Sequence, residues 1–394
     1  LDTDSSMLNI PYNNTQKPMG CQYIFQDFSG ENREKRRVPP AQPAEDRRHV
    51  MKENGGFGPV RTDLALEERE RFPGQEQEVR GVSLREWEPR EEGIRITEVK
   101  ILNQQGVKAM GKEKGTYLTI EARELAKGGK EGGRRLSETL ARELRRLSGD
   151  GDVGEDKEMA ERSKPSAFLK DMPERILVAG LGNLYVTPDS LGPRVLQHLP
   201  MTRHYDSQYG EDYRKKRGMA SVSGIAPGVM AQTGMETAEI LKGIVEETSP
   251  QLVIAIDALA ARSVHRLGCT IQLTDTGICP GSGVGNHRSG LTRESLGVPV
   301  LAIGVPTVVG AAAIVQDTIG AMTKALEMGR QTKGTGKYLE ELGPDQQYAL
   351  IRELLEPEFG AMFVTPPDIE ERVELLGKVI ARGIRTAFCQ EQKG

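Results

Sequence analysis

With 394 residues, 37% hydrophobic and 28% charged, the chain is long enough for one large domain or two ordinary ones, and polar enough to carry a tail or long loops beside a normal core. Its 53 basic and 57 acidic residues give a formal net charge of −4, so no basic excess points to nucleic acid as a direct ligand. No apolar run approaches the roughly 20 residues that span a bilayer, no export signal opens the chain, and the four cysteines form no CxxC pair. A reducing cytosol fits these features, with zinc and disulfides both disfavoured.

Residues 1–58 lack apolar periodicity, and Pro39, Pro40 and Pro43 punctuate their charged runs. Such a segment buries too little to offset its ordering entropy, so a disordered extension is predicted there, and residues 1–50 are set apart from the fold. The folded portion is expected over 59–394. From Val79 to Glu121 the pattern becomes strand-like, with near-alternation at 94–101 and a short strand at 117–120. Leu136, Leu140, Leu144 and Leu147 have helical spacing. Together these predict a smaller β-rich N-terminal portion, about residues 79–135, and a following helix. The Gly- and charge-rich stretch 149–164 reads as a loop.

The core begins at Arg175. Residues 176–179, 252–256 and 300–303 are continuous short apolar runs, and 220–225 and 270–273 read as further strands. Helical patterns lie between them, near 191–199, 236–247 and 307–328. Two more close the chain, near 345–355 and 367–388. Apolar strands alternating with helices predict an α/β fold, with a mixed, mainly parallel sheet flanked by helices on both faces.

Ligands of open α/β sheets bind beyond the carboxyl ends of the strands. That rule singles out three loops. The first is Gly180-Leu181-Gly182-Asn183, continuing through Thr187-Pro188-Asp189. A dinucleotide fingerprint would need glycine at 185, where Tyr185 stands, and a helix directly after the glycines, where Thr187-Pro188 intervenes. The glycines then serve a sharp turn, and Asp189 either starts the next helix as its cap or faces a site. The second loop opens on Asp257, directly after the apolar run 252–256. A carboxylate there needs a partner, from backbone N–H groups, from Arg262, or from a shared site with Asp189. Two close carboxylates divide their titration, so one holds a proton while the other ionises, and such a pair can hydrolyse a peptide bond without a metal. The third loop, Gly281, Ser282, Gly283 through Asn286, reads either as a backbone nest for an anion or as a flexible turn. Gly182, Asn183, Gly281, Ser282, Gly283 and Asn286 are therefore the candidates for holding substrate or an oxyanion.

Other chemistries are weaker. None of the five histidines sits in an HExxH pattern, and no GxSxG elbow occurs. Cys269 and Cys279 have no adjacent histidine and read as small packing residues.

The stretches 178–193 (VAGLGNLYVTPDSLGP), 226–237 (APGVMAQTGMET), 254–263 (IAIDALAARS), 275–286 (DTGICPGSGVGN) and 303–309 (IGVPTVV) resemble the germination proteases of endospore-forming bacteria. The similarity runs from about Val60 to the C-terminus. It implies an endopeptidase that degrades small acid-soluble spore proteins, with Asp189 and Asp257 as its catalytic aspartates and no cofactor or metal. It implies a zymogen trimmed by self-cleavage, a homotetramer, and a place in the forespore and spore core. It also implies a fold similar to the hydrogenase-maturation endopeptidases. Residues 63–67 (DLALE) match the order of family cleavage sites: an acidic residue, then a large apolar residue, Ala, any residue and Glu. Self-processing is thus expected between Asp63 and Leu64, at a junction expected to be open to proteolysis. Two departures stand out: residues 1–50 have no recognised counterpart, and the chain after Met328 is short for the family. A metal-dependent hydrolase using the same carboxylates, and a non-catalytic binding protein, are the alternatives.

Overall fold

The computed structural model describes residues 62–72, 79–89, 93–122, 130–149, 172–281, 289–328, 347–348, 350–353, 355 and 362–389. The extension expected at 1–58, and the expected loop beyond residue 149, lie outside them.

Among the described residues, nine strands form one sheet. They are β1 (Val82–Trp87), β2 (Arg95–Ile101), β3 (Gly115–Glu121), β4 (Arg175–Gly180), β5 (Ser221–Ile225), β6 (Leu252–Ala261), β7 (Thr270–Thr274), β8 (Val300–Gly310) and β9 (Phe363–Val364). The spatial order is β1-β2-β3-β7-β8-β6-β4-β5, with β9 paired to the far end of β8. The helices used below are α1 (Ala65–Arg69), α2 (Gln104–Met110), α3 (Lys130–Ser148), α4 (Leu191–His198), α5 (Thr237–Thr248), α6 (Ala311–Met328) and α7 (Ile369–Phe388).

The expected mixed sheet is present, but it is not mainly parallel: among the described residues three strand pairs are parallel and five antiparallel, and the two modes are segregated. β8, β6, β4 and β5 pair in parallel. β1, β2, β3 and β7 pair antiparallel, and β7 joins the halves by lying antiparallel to β8. The β-rich N-terminal strands thus extend the same sheet through β3 and β7.

Alternation along the central strands explains the layers. Ile176, Val178, Ile254 and Ile256 point to one face, where they pack with Leu140 and Leu144 of α3, Val195 of α4, and Ile380 and Ile384 of α7. Leu177, Ala179, Val253 and Ala255 point to the other, against Leu241 and Val245 of α5. Strands buried on both faces are apolar at every position, which is why they read as unbroken runs.

Two boundaries beside the candidate site differ from the sequence reading. β6 continues five residues past the predicted 256, to Ala261, and β8 runs to Gly310 where a helix was expected from 307. The cause is pairing. β6 and β8 continue as partners beyond the end of β4, with a register shift between Leu259 and Ala260, so Asp257 and Pro306 lie inside a ladder. Asp257 is consequently a mid-strand residue rather than a residue of a loop beyond the strand.

Candidate active site

The first glycine loop folds through backbone contact. An ideal Cβ on Gly180 would meet the Gly192 carbonyl oxygen at 2.4 Å, so the end of β4 touches the start of α4 directly. Gly182 has φ +104°, and a Cβ there would stand 2.0 Å from the Asp189 carbonyl oxygen. Both features demand glycine. They return the chain on itself so that Asp189 lies beside Gly182.

Asp189 ends the 3-10 turn Thr187–Asp189, and Ser190 precedes α4, so Asp189 does not cap that helix. The Asn183 N–H donates to the Asp189 carboxylate (Oδ2, 2.8 Å) and to its carbonyl oxygen (3.1 Å). The Asn183 side-chain oxygen accepts from the Tyr185 N–H at 3.0 Å and from Gln232 at 3.3 Å. Asn183, a candidate for the oxyanion, thus has its backbone N–H engaged in fixing Asp189. The Thr187–Asp189 turn packs against β6, β8, α4 and α7.

Asp257 lies in β6, 5% exposed, and its Oδ1 accepts from the Ala258 N–H at 2.9 Å. It pairs across the sheet with Gly304 of β8, which pairs in turn with Gln272 of β7. Residues paired this way share a face. The fold therefore places the Asp189 turn against the very strands that carry Asp257 and its row. Of the third loop, Gly281 has φ +75°, while Ser282, Gly283 and Asn286 lie outside the described residues.

The junction at Asp63 and Leu64 corrects an expectation. It is not an open hinge: Leu64 and Ala65 are fully buried. Leu64 packs with Leu259, Leu267, Val309 and Tyr348, and Ala65 with Val99, Met110 and Tyr117. The Asp63 N–H donates to the Ala260 carbonyl (3.0 Å), and its carboxylate accepts from the Ala260 N–H (2.9 Å). Gln272 donates to the Asp63 carbonyl (3.1 Å) and accepts from the Ala65 N–H (2.7 Å). Glu67, 1% exposed, accepts from the N–H groups of Arg262 (2.7 Å) and Ser263 (3.0 Å), pairs with Arg266 (3.1 Å), and takes the Thr62 hydroxyl. The carboxylate is buried because it is fully partnered. The segment is thus held by polar contacts at Thr62, Asp63, Ala65 and Glu67 as well as by the burial of Leu64 and Ala65.

Sequence reasoning passed over Gln272, and it read Glu67 only as the last residue of the cleavage-site match at 63–67. The available signal for Gln272 was weak: one glutamine within the buried strand Thr270–Thr274. Among the described residues, no three His, Cys, Asp or Glu side chains are grouped so as to hold a metal ion, and no helix is long and apolar enough to cross a membrane.

Comparison with known proteins gives the class first: the chain is an endopeptidase. The germination protease family matches residues 60–347. A germination protease of Caldanaerobacter subterraneus subsp. tengcongensis is 46% identical over 336 residues, covering 84% of this chain and 94% of the relative. That of Bacillus subtilis is 36% identical over 380 residues, covering 85% and 96%. The chain belongs to the germination protease family, and its function is that of an endopeptidase of germination. A solved structure of a [NiFe] hydrogenase maturation protease from Thermococcus kodakarensis also aligns, at TM-score 0.26 and 17% identity, covering 54% of this chain and 94% of that one.

Proposed function

We propose that this endopeptidase acts through Asp189 and Asp257 as an acid–base pair, that it degrades small acid-soluble spore proteins in the spore core, and that it works as a homotetramer without metal or cofactor. We also propose that it is made as a zymogen and cut between Asp63 and Leu64. The observation that carries the reading is the packing of the Thr187–Asp189 turn against β6 and β8, with Asp257 buried mid-strand in β6. Two carboxyl groups on adjacent elements, the one on β6 buried, oppose each other's ionisation. The ionised member takes a proton from water, which attacks the scissile carbonyl carbon. The protonated member hydrogen-bonds the carbonyl oxygen and, as the C–N bond breaks, gives its proton to the leaving nitrogen. The docked 62–69 segment fits the zymogen reading, because it presents its own bond on the face that Asp257 shares.

The test is Asp189→Asn and Asp257→Asn in the folded enzyme, assayed on a small acid-soluble spore protein. Each substitution removes a required proton carrier, with an expected loss of about 10²–10⁴-fold. Turnover close to the parent's in either variant assigns that aspartate a structural role. Exhaustive chelation separates the metal-dependent alternative: the aspartate pair keeps its rate, a metal hydrolase does not. The rate should follow a bell-shaped pH profile whose limbs belong to the pair, whereas a single rise towards alkaline pH indicates a metal-bound water or a histidine base. Sedimentation equilibrium reads the tetramer directly.

A further inference from the structure

The Asp63–Leu64 bond is gripped across its own atoms. The oxygen of its carbonyl accepts from Gln272 Nε2 at 3.1 Å, and its nitrogen donates to Thr62 Oγ1 at 3.1 Å. Gln272 cannot present its oxygen instead. That oxygen is taken by the Ala65 N–H at 2.7 Å, which leaves the NH₂ group facing the Asp63 carbonyl. The side chain is 6% exposed, in a strand buried at every position, so water competes little for its donor. One rigid carboxamide therefore bridges the two sides of the bond.

Gln272 also stands in line with Asp257. Gln272, Gly304 and Asp257 pair in succession across β7, β8 and β6. At roughly 4.8 Å per strand, the two Cα atoms are about 10 Å apart on one face. Gly304 between them bears no side chain, and Leu259 lies across it: an added Cβ would meet Leu259 Cδ1 at 2.3 Å. Leu259 is in turn part of the cluster that receives Leu64. The chain segment, the carboxamide and the aspartate thus share one surface.

We propose that Gln272 is the oxyanion donor for self-cleavage of the Asp63–Leu64 bond; this rests on the self-processing reading above. Water adds through its oxygen to the Asp63 carbonyl carbon, and its proton passes to the ionised aspartate. The carbonyl π pair moves onto the oxygen, which becomes an alkoxide facing the Gln272 N–H. As the pair returns, the bond to the Leu64 nitrogen breaks, and that nitrogen takes a proton from the protonated aspartate. The products are an Asp63 carboxyl group and a Leu64 amine. A donor already aimed at the oxygen strengthens as charge develops, without reorganisation at the moment of reaction. Buried donors of this kind are worth far more than exposed ones, because the medium around them screens less.

The experiment uses the full-length chain with Gln272→Glu, followed by the mass of the new N-terminus. Glutamate keeps the size and the acceptor for the Ala65 N–H but removes the donor. The first-order rate of self-cleavage should fall about 10²–10³-fold, the loss typical of one oxyanion donor. Docking is read separately in an Asp257→Asn background, where an added peptidase that cuts before leucine probes the bond; it should stay as shielded with Gln272→Glu as without it. Gln272→Met is the second variant, of similar volume and uncharged, should a buried carboxylate prevent folding. Normal self-cleavage by either folded variant overturns the proposal alone. A variant bond that opens to the added peptidase also overturns it, since Gln272 would then be only a tether. A parent chain that makes no cut between Asp63 and Leu64 overturns the self-processing reading, and the proposal with it.

Discussion

Gly182 and Asp189 form a coupled pair of residues, and their coupling can be tested. A methyl group at 182 needs φ near +104° and the space of the Asp189 carbonyl oxygen at 2.0 Å, so Gly182→Ala must unfold the turn locally or push Asp189 aside. Strain of this type costs about 1–3 kcal/mol. The variant should lose thermal stability and peptidase activity together; full activity with an unchanged melting temperature would show that the turn tolerates the shift. A second residue reports on pH. Burial raises the Asp275 pKa, against the lowering effect of the Thr116 N–H, which donates at 2.7 Å. A carboxyl whose folded pKa lies above its unfolded value of about 3.9 holds its proton longer in the folded state. Its stabilising contribution is therefore present below the unfolded pKa and is lost as pH rises through the folded one. Asp275→Asn keeps an oxygen for Thr116 and has no proton to lose. Its melting temperature relative to the parent should improve as pH rises through that window, and a pH-independent difference would contradict the assignment.

At the scale of elements, the docked segment around α1 is the feature that most changes the picture. A bond in a loose tail is easily reached by a peptidase, whereas Leu64 is a core residue. Leu64→Ala deletes a fully buried side chain from the cluster with Leu259, Val309 and Tyr348, at an expected cost of about 2–5 kcal/mol. Denaturant titration of an Asp257→Asn chain, which should not cut itself, measures that cost without interference from processing. A value near zero would mean the segment is detached in solution. The polar grip bears on the same point. Glu67 answers two backbone N–H groups and Arg266, and Arg266 also meets Glu70 at 2.6 Å and Glu121 at 3.4 Å. Truncating one member strands the others, which costs more than the bond itself is worth.

For the whole molecule, stability should be unevenly distributed. β4, β6 and β8 are covered on both faces, by α3, α4 and α7 on one side and α5 on the other, whereas β1 is an outer strand whose residues are all half-buried or exposed. Amide exchange should therefore be slowest at Ile254, Ile256, Leu301 and Ile303 and far faster along Val82–Trp87, since outer strands open by local fluctuation. Equal protection in both places would imply that a further surface covers β1.

The sequence by itself determined the central strands, the helices between them, and the glycine turn that leads from the end of β4 to Asp189. These follow from local rules: a doubly covered strand must be apolar throughout, and Gly180, Gly182 and Gly192 stand where the backbone has no room for a side chain. It also carried the family, through motifs of contiguous residues. The tertiary structure alone decided that Asp257 lies within a strand, because β6 is prolonged by its partner β8 rather than by its own composition. It alone decided that Asp63 and Leu64 are held in the core, because their partners Ala260, Gln272 and Leu259 stand about two hundred positions away in the chain. Local sequence records what a residue can bury or cap; which distant groups meet it is fixed only when the sheet closes its register.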